Sequence, residues 1–288
     1  MRTRRGSFWW SFTLTLMLLL PMMVLTLFLV RQREQQNALR QVAAARGGVA
    51  VQPGAQRTLR LLLVVQQEQP AFVLLRADGP AQTLQLCGLP GALLVQAPAG
   101  TTTLEECTMA AGPGRALQLL QGTLATPESA APLHYLAATP ALWAKQAGQT
   151  TARVDTAALL PAKTRERLGY GKDPVAEGDA DAMHELILRC EQALPRDKAA
   201  VVRPAVWAAM ARQNRGLPAM VVAGLRTDSA RTLTDLQAQG YALWQQVLDY
   251  LAGCSALQVE YATPECAAAP GGLVLTEKGR TTVQTMLR

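Results

Sequence analysis

Histidine and cysteine offer the widest range of catalytic and metal-binding chemistry, and this chain of 288 residues contains few of either. The histidines are His134 and His184, and the cysteines are Cys87, Cys107, Cys190, Cys254 and Cys266. No two cysteines form a CxxC pair, and the histidines are isolated from the cysteines in sequence. Structural zinc sites are built from closely spaced ligands, so the spacing predicts no metal site.

The cysteines also lack the pattern of a disulfide framework. An oxidised pair is one interpretation, and Cys254 with Cys266 is the closest in sequence. An odd count leaves at least one thiol over, free or paired with another chain. Buried structural thiols are the interpretation that the sequence favours.

Acidic and glycine-rich segments give no better catalytic motif. Glu177, Asp179 and Asp181 could bind a hard cation, but helix capping by Asp179 or Asp181 explains them more simply. The Gly112-Pro113-Gly114 segment predicts a helix-entry turn, because proline lacks the amide that a phosphate loop uses. GxSxG, Walker A, HExxH and dinucleotide motifs are all absent from the sequence.

Other polar residues fit structural or surface roles. His134 lies on a predicted strand beside Tyr135 and is expected to be structural, whereas His184 is expected to point partly to solvent. Glu105-Glu106 and the arginines Arg165 and Arg167 are expected to be surface charges.

The strongest single feature is an uncharged, apolar stretch from Phe8 to Val30. A helix of about 20 apolar residues spans a bilayer, so this stretch predicts one membrane helix. It is longer than the apolar core of a cleaved signal, about 7 to 15 residues, which favours an uncleaved signal-anchor. Arginines 2, 4 and 5 precede it, so the positive-inside rule places residues 1–7 in the cytoplasm. Residues 31–56 then form a linker, and residues 57–288 an extracytoplasmic domain in a single-pass cell-membrane protein.

The anchor also accounts for most of the net charge of +7. Removing the five arginines of the first 33 residues leaves 23 basic and 21 acidic residues, a net charge near +2. That balance excludes nucleic acid as an expected partner.

The sequence of the domain predicts a series of strands, followed by interspersed helices and strands. Residues 149–180 are predicted to form an irregular connection. The predicted strands are 61–65, 71–75, 83–86, 92–95, 134–138, 218–223, 257–261 and 273–276. The predicted helices are 113–124, 140–148, 179–194, 204–210 and 228–251. This order predicts an α/β domain with helices on both faces of a mixed sheet, antiparallel at first with later parallel additions.

The segment LLLVVQQEQPAFVLLRADGPAQTLQLCGLPGALLV (61–95) resembles the opening of the LytR–CpsA–Psr (LCP) domain of Gram-positive bacteria. GPGRALQLLQGTL (112–124), HYLAATPALWAKQAG (134–148) and GDADAMHELILRCEQAL (178–194) are similar to later family segments in order and spacing. The resemblance implies a domain that transfers glycopolymers from a polyprenyl-pyrophosphate carrier to peptidoglycan. It also implies acidic residues that hold magnesium and arginines that grip the pyrophosphate.

The chain departs from the family where that chemistry lies. The acidic loop has become Gln66-Gln67-Glu68-Gln69-Pro70. The motif arginine falls at Gly91, and the following aspartate at Ala92. In the later helix, residues such as Met183 and Glu185 stand where the family has arginines. The ligand-binding positions that match the family site are thus Gln67, Pro70, Gly91 and Ala92.

These departures predict a catalytically silent relative, a pseudoenzyme of the cell envelope without a cofactor. It would bind a cell-wall glycopolymer, a polyprenyl lipid or an envelope protein. An alternative is an active phosphotransferase that uses magnesium with Glu68, Arg76 and Arg115. A further alternative is a membrane assembly scaffold.

Overall fold

The computed structural model describes residues 54–98, 100–124, 132–148 and 150–287. The predicted cytoplasmic tail, membrane span 8–30 and most of the linker lie outside these residues. Among the described helices, none is long and apolar enough to cross a bilayer.

Short strands make up about half of the secondary-structure elements. In chain order they are β1 (Thr58–Val65), β2 (Ala71–Asp78), β3 (Thr83–Leu89), β4 (Leu94–Ala97), β5 (Gly100–Thr103), β6 (His134–Ala138), β7 (Ala152–Asp155), β8 (Val175–Gly178), β9 (Leu233–Thr234), β10 (Gln258–Ala262), β11 (Cys266–Ala269) and β12 (Gly272–Leu275).

Six of these described strands form one sheet in the order β10-β3-β2-β1-β6-β9. β1, β2 and β3 pair antiparallel, while β6 joins β1 and β10 joins β3 in parallel. The mixed sheet and its antiparallel start are therefore as the sequence predicted. The remaining strands form the two-stranded pairs β4-β5, β7-β8 and β11-β12.

Helices cover this sheet on both faces. They are α1 (Leu104–Leu124), α2 (Pro140–Ala147), α3 (Ala162–Arg167), α4 (Ala180–Ala193), α5 (Arg196–Ala199), α6 (Val202–Gln213), α7 (Leu217–Thr227), α8 (Ala238–Gly253) and α9 (Glu277–Leu287). A positive φ of 82° at Gly112 breaks α1 into two pieces, where the sequence predicted a helix-entry turn.

β1 shows why both faces carry helices. Its side chains alternate between two clusters, with Leu61 and Leu63 in one and Leu62 and Val64 in the other. A strand that is buried on both faces has a continuous apolar sequence, as in LLLVV. The first cluster also contains residues of α6, α7 and α8, and the second contains residues of α1 and α9.

Three predicted elements were wrong. Residues 218–223 are helical, because Pro218 lies at the start of α7 and an all-apolar run has no strand period. The helix predicted from 228 begins only at Ala238, after a 3₁₀ turn and β9. The segment 149–180 is not irregular, since it contains β7, α3 and β8.

Helix α4 begins as the sequence predicted. The Asp179 carboxylate accepts a hydrogen bond from the Ala182 N–H at 2.9 Å. We expect Asp179→Ala to lower the free energy of unfolding by about 1 kcal/mol, the usual effect of losing an N-cap. Urea unfolding would measure it, with the neighbouring Asp181→Ala as the matched control. Equal losses in both variants would contradict the cap assignment.

Candidate functional site

A polar cleft of about 360 Å³ lies where β1 and β3 end and β2 begins. The β1–β2 loop forms one wall, and the residues after β3 form another. The last turns of α4 and the first residues of α5 complete it. All four family-site positions, Gln67, Pro70, Gly91 and Ala92, line this cleft. The fold thus brings together residues that are up to 25 positions apart in sequence.

Gly91 lies close to the Glu105 side chain. A Cβ atom at position 91 would be 2.7 Å from Glu105 Oε2 and 3.4 Å from the Pro70 carbonyl oxygen. The Glu105 N–H also donates to the Gly91 carbonyl at 2.9 Å. A long side chain at position 91 and the Glu105 carboxylate therefore compete for the same space.

Glu105 is not the surface charge that the sequence predicted. Its side chain is only 17% exposed and lines the cleft, where Arg196 Nη1 lies 3.4 Å from its Oε1. Glu106 instead accepts hydrogen bonds from the Thr103 N–H and the Thr102 hydroxyl, which fixes the start of α1. Two adjacent acids thus have different roles.

A second ion pair lies behind the cleft wall and was missed in the sequence. Arg203 Nε and Nη2 donate to the two carboxylate oxygens of Glu191, at 3.1 and 2.9 Å. Arg203 Nη2 also donates to Gln67 Oε1 at 3.4 Å. The Arg203 side chain is 3% exposed and that of Glu191 is 16% exposed. One signal was available, since Arg203 is the only charge in the apolar run VVRPAVWAAM.

Burial shifts the pKa values of two acid–base groups near this pair. It raises the pKa of Glu191, although the charge and hydrogen bonds of Arg203 act in the opposite direction. Burial and the charge of Arg203 lower the pKa of His184, which favours its neutral imidazole form.

An apolar cavity of about 110 Å³ lies on the other side of Arg203. Leucines of β1, β2 and β3 form its floor, and α2, α4, α6 and α7 form its walls. Its polar wall residues include Arg203 and His184, and Arg203 lies 5.8 Å from the centre of the Trp207 ring. An apolar protein cavity of about 150 Å³ binds benzene, so this one has room for a small hydrocarbon group.

The structure does not bring the three candidate catalytic residues together. Glu68 lines the polar cleft. Arg76 lies near the other end of β2, where it donates to Asp78 Oδ2 at 2.7 Å and to the Thr285 carbonyl at 2.9 Å. Arg115 donates to Gln118 on α1. Neither arginine lines the cleft or the apolar cavity.

The histidines and cysteines, which could act as acids, bases or nucleophiles, lie outside the cleft. His134 Nδ1 is 3.1 Å from Asp235 Oδ2, a structural contact at the sheet edge. All five cysteines are free thiols; four of them are buried and Cys266 is partly exposed. Burial raises the pKa of Cys87 to about 12, so its thiol is unreactive at neutral pH. Within the described residues, no three His, Cys, Asp or Glu side chains converge in a metal-binding group.

Comparisons with known proteins identify the fold. No protein-family model matches the sequence, and no curated protein matches it significantly. The solved structure of TagT bound to LIIa-WTA is similar, with a TM-score of 0.57, 13% identity and coverage of 84% of this chain and 96% of that chain. B. subtilis TagT has a TM-score of 0.55 and 12% identity, over 82% of this chain and 91% of its own.

The Lin1025 protein from Listeria innocua is also similar, with a TM-score of 0.55, 10% identity and coverage of 81% and 97%. TagT is a LytR–CpsA–Psr family enzyme. The described part of this chain therefore has an LCP-like fold, as the sequence resemblance predicted.

Proposed function

We propose that this chain is a membrane-anchored cell-envelope protein whose LCP-like domain binds a polyprenyl lipid without transferring a glycopolymer from it. The resemblance supplies the substrate class, and the apolar cavity next to the cleft supplies a place for the first part of the hydrocarbon chain. The predicted anchor would hold the domain outside the cytoplasm, beside the membrane in which such lipids lie.

The arrangement of charges in the cleft supports the proposal that the domain does not catalyse glycopolymer transfer. Two arginines lie at the cleft or behind its wall, and each is paired with a glutamate: Arg196 with Glu105 and Arg203 with Glu191. Glu68 adds a further negative charge to the lining. A diphosphate in transfer needs opposing positive charge, from free guanidinium groups or a divalent ion. This cleft instead presents more carboxylates than guanidinium groups.

The residues present also do not fit a magnesium site. Gln67 and Pro70 stand in the loop where the family has its acids, and the described residues contain no cluster of three metal-binding side chains. Glu105 and Glu191 are already held by arginines. The described residues of the cleft therefore lack the ligand set that a magnesium-dependent transfer would need.

Photolabelling would test lipid binding. The full chain in lipid nanodiscs would be irradiated with a photoreactive polyprenol analogue, and labelled peptides would be mapped by mass spectrometry. We expect labels on α4 and α6, which wall the cavity. Labels confined to residues 8–30 would contradict lipid binding by the domain.

A variant that fills the cavity sharpens this test. Ala211 lies in the cavity wall and is 4% exposed, so Ala211→Phe should abolish labelling of α4 and α6. Overpacking of this kind lowers the free energy of unfolding by about 1–3 kcal/mol, and thermal melting would verify that the variant is folded. Ala110→Phe makes the same change at an exposed position of α1 and should leave labelling intact.

An assay of glycopolymer transfer would test whether the domain is catalytically inactive. The same protein would be incubated with a polyprenyl-pyrophosphate-linked glycan, magnesium and peptidoglycan fragments. We expect no release of polyprenyl phosphate above the level without protein. Release in proportion to protein concentration would overturn the proposal.

A further inference from the structure

Arg203 is shared by the two cavities of the site. It lines the apolar cavity, yet its guanidinium bonds to Gln67 and Glu191, which both line the polar cleft. A lipid whose chain occupied the apolar cavity would therefore place its first polar group close to this guanidinium. The state of Arg203 then determines which head groups can be bound.

Glu191 occupies the Nε–Nη2 edge of that guanidinium. Its two oxygens accept from Nε and Nη2, the fork-like geometry with which arginine also binds phosphate. Gln67 accepts a further bond from Nη2. A phosphate group could reach these donors only by displacing a carboxylate, and an unpaired buried carboxylate is costly.

The surroundings offer little compensating positive charge. Burial lowers the pKa of His184, which also lines the apolar cavity, and so favours its neutral form, and Arg196 Nη1 lies 3.4 Å from the Glu105 carboxylate. Glu68 is exposed on the cleft side. An anionic head group would thus meet net negative charge, whereas a hydroxyl or sugar could bond to amide and carboxylate oxygens.

We propose that Glu191 sets the head-group specificity of the lipid site: by holding Arg203, it excludes phosphorylated lipids and restricts the site to polyprenyl chains with an uncharged head, such as a free alcohol. The inference rests on the proposed function, because it assumes that the apolar cavity binds the chain.

Competition with two probes of equal chain length tests it. Farnesol and farnesyl phosphate would each compete against the photoreactive polyprenol on the full-length protein in nanodiscs. In the wild type, farnesol should compete at a lower concentration than farnesyl phosphate. Glu191→Gln should improve competition by farnesyl phosphate about ten- to a hundredfold, the gain for one charge-assisted hydrogen bond, and leave farnesol unchanged.

Two controls separate this effect from general electrostatics. Glu68→Gln removes the same charge from the same cleft but does not release Arg203, so it should improve competition by farnesyl phosphate less than Glu191→Gln does. The double variant Glu191→Gln with Arg203→Met should lose the gain. An equal gain in Glu68→Gln and Glu191→Gln, or a gain that survives removal of Arg203, would overturn the assignment.

The remaining outcomes distinguish the two proposals. If neither probe competes, lipid binding itself is wrong. If farnesol competes but Glu191→Gln gains nothing for farnesyl phosphate, or the wild type already prefers the phosphate, only the specificity proposal is wrong. If Glu191→Gln melts below the assay temperature, Glu191→Asp replaces it. Its shorter carboxylate cannot hold both guanidinium nitrogens in the same geometry, and a smaller gain is expected; no gain would contradict the proposal.

Discussion

Replacing Arg203 with methionine is expected to lower the free energy of unfolding by about 3–5 kcal/mol at pH 8, the usual effect of leaving one partner of a buried ion pair alone. Methionine approximates the aliphatic part of the arginine and retains packing against Trp207. The loss therefore reports mainly on the charge. Urea unfolding followed by tryptophan fluorescence would measure it.

The loss should depend on pH because Glu191 can take up a proton. Burial raises the pKa of Glu191, and the charge of Arg203 opposes that rise. Removing Arg203 should raise the pKa further, so that the carboxyl group is protonated over a wider range. A folded-state pKa above the unfolded value means that stability is greatest at low pH and falls as pH rises through the folded pKa. The variant should therefore lose less stability at pH 5 than at pH 8.

Two control variants test whether the loss of stability comes from the unpaired charge of Glu191. Arg196→Met breaks the other cleft ion pair, but the Arg196 side chain is 68% exposed, and exposed pairs contribute no more than about 1 kcal/mol. The double variant with methionine at positions 191 and 203 should recover most of the loss, since no buried charge remains. A loss that is the same at both pH values would show that Glu191 is not the cause.

The strand framework could be predicted because it depends on local sequence. Continuous apolar runs mark strands that are buried on both faces, and Asp78-Gly79-Pro80 marks the turn between two of them. In the structure, Asp78 Oδ1 accepts a hydrogen bond from the Ala81 N–H at 3.1 Å within this turn. These signals, together with their order, also carried the family resemblance that the fold comparison bears out.

The charge pairs could not be predicted because each depends on two distant elements. Glu191 ends α4 and Arg203 begins α6, with Pro195 and α5 between them. Glu105 and Arg196 are 91 positions apart. Sequence could mark each residue as charged, but only the packing of α4 and α6 on the sheet shows which charges neutralise each other. The family resemblance predicted which positions line the cleft. The pairing of charges in the cleft could be seen only in the folded structure.

Gly88 lies on β3 where the sheet contacts the segment that carries Arg196 and Arg203. We expect Gly88→Ala to lower the free energy of unfolding by about 3 kcal/mol. A Cβ atom at this position of β3 would be directed onto the Ala200 carbonyl oxygen and would lie 3.0 Å from Pro204 Cγ. A backbone oxygen cannot rotate away as a flexible side chain can. The whole segment from α5 to the start of α6 must move instead.

That segment carries both arginines of the site, Arg196 before Ala200 and Arg203 after it. We therefore expect Gly88→Ala also to weaken photolabelling of α4 and α6 by the polyprenol analogue, at temperatures where the variant is still folded. Thermal melting and labelling of the same samples would separate the two effects.

Gly122→Ala is the matched control for this substitution. It lies in α1 with no atom within 4 Å of the added Cβ, and alanine is favoured over glycine in a helix by about 1 kcal/mol. It should therefore raise stability slightly and leave labelling unchanged. If Gly88→Ala were as stable as the wild type, the contact between β3 and Ala200 would be loose, and the positions of Arg196 and Arg203 would have to be fixed by α4 rather than by the sheet.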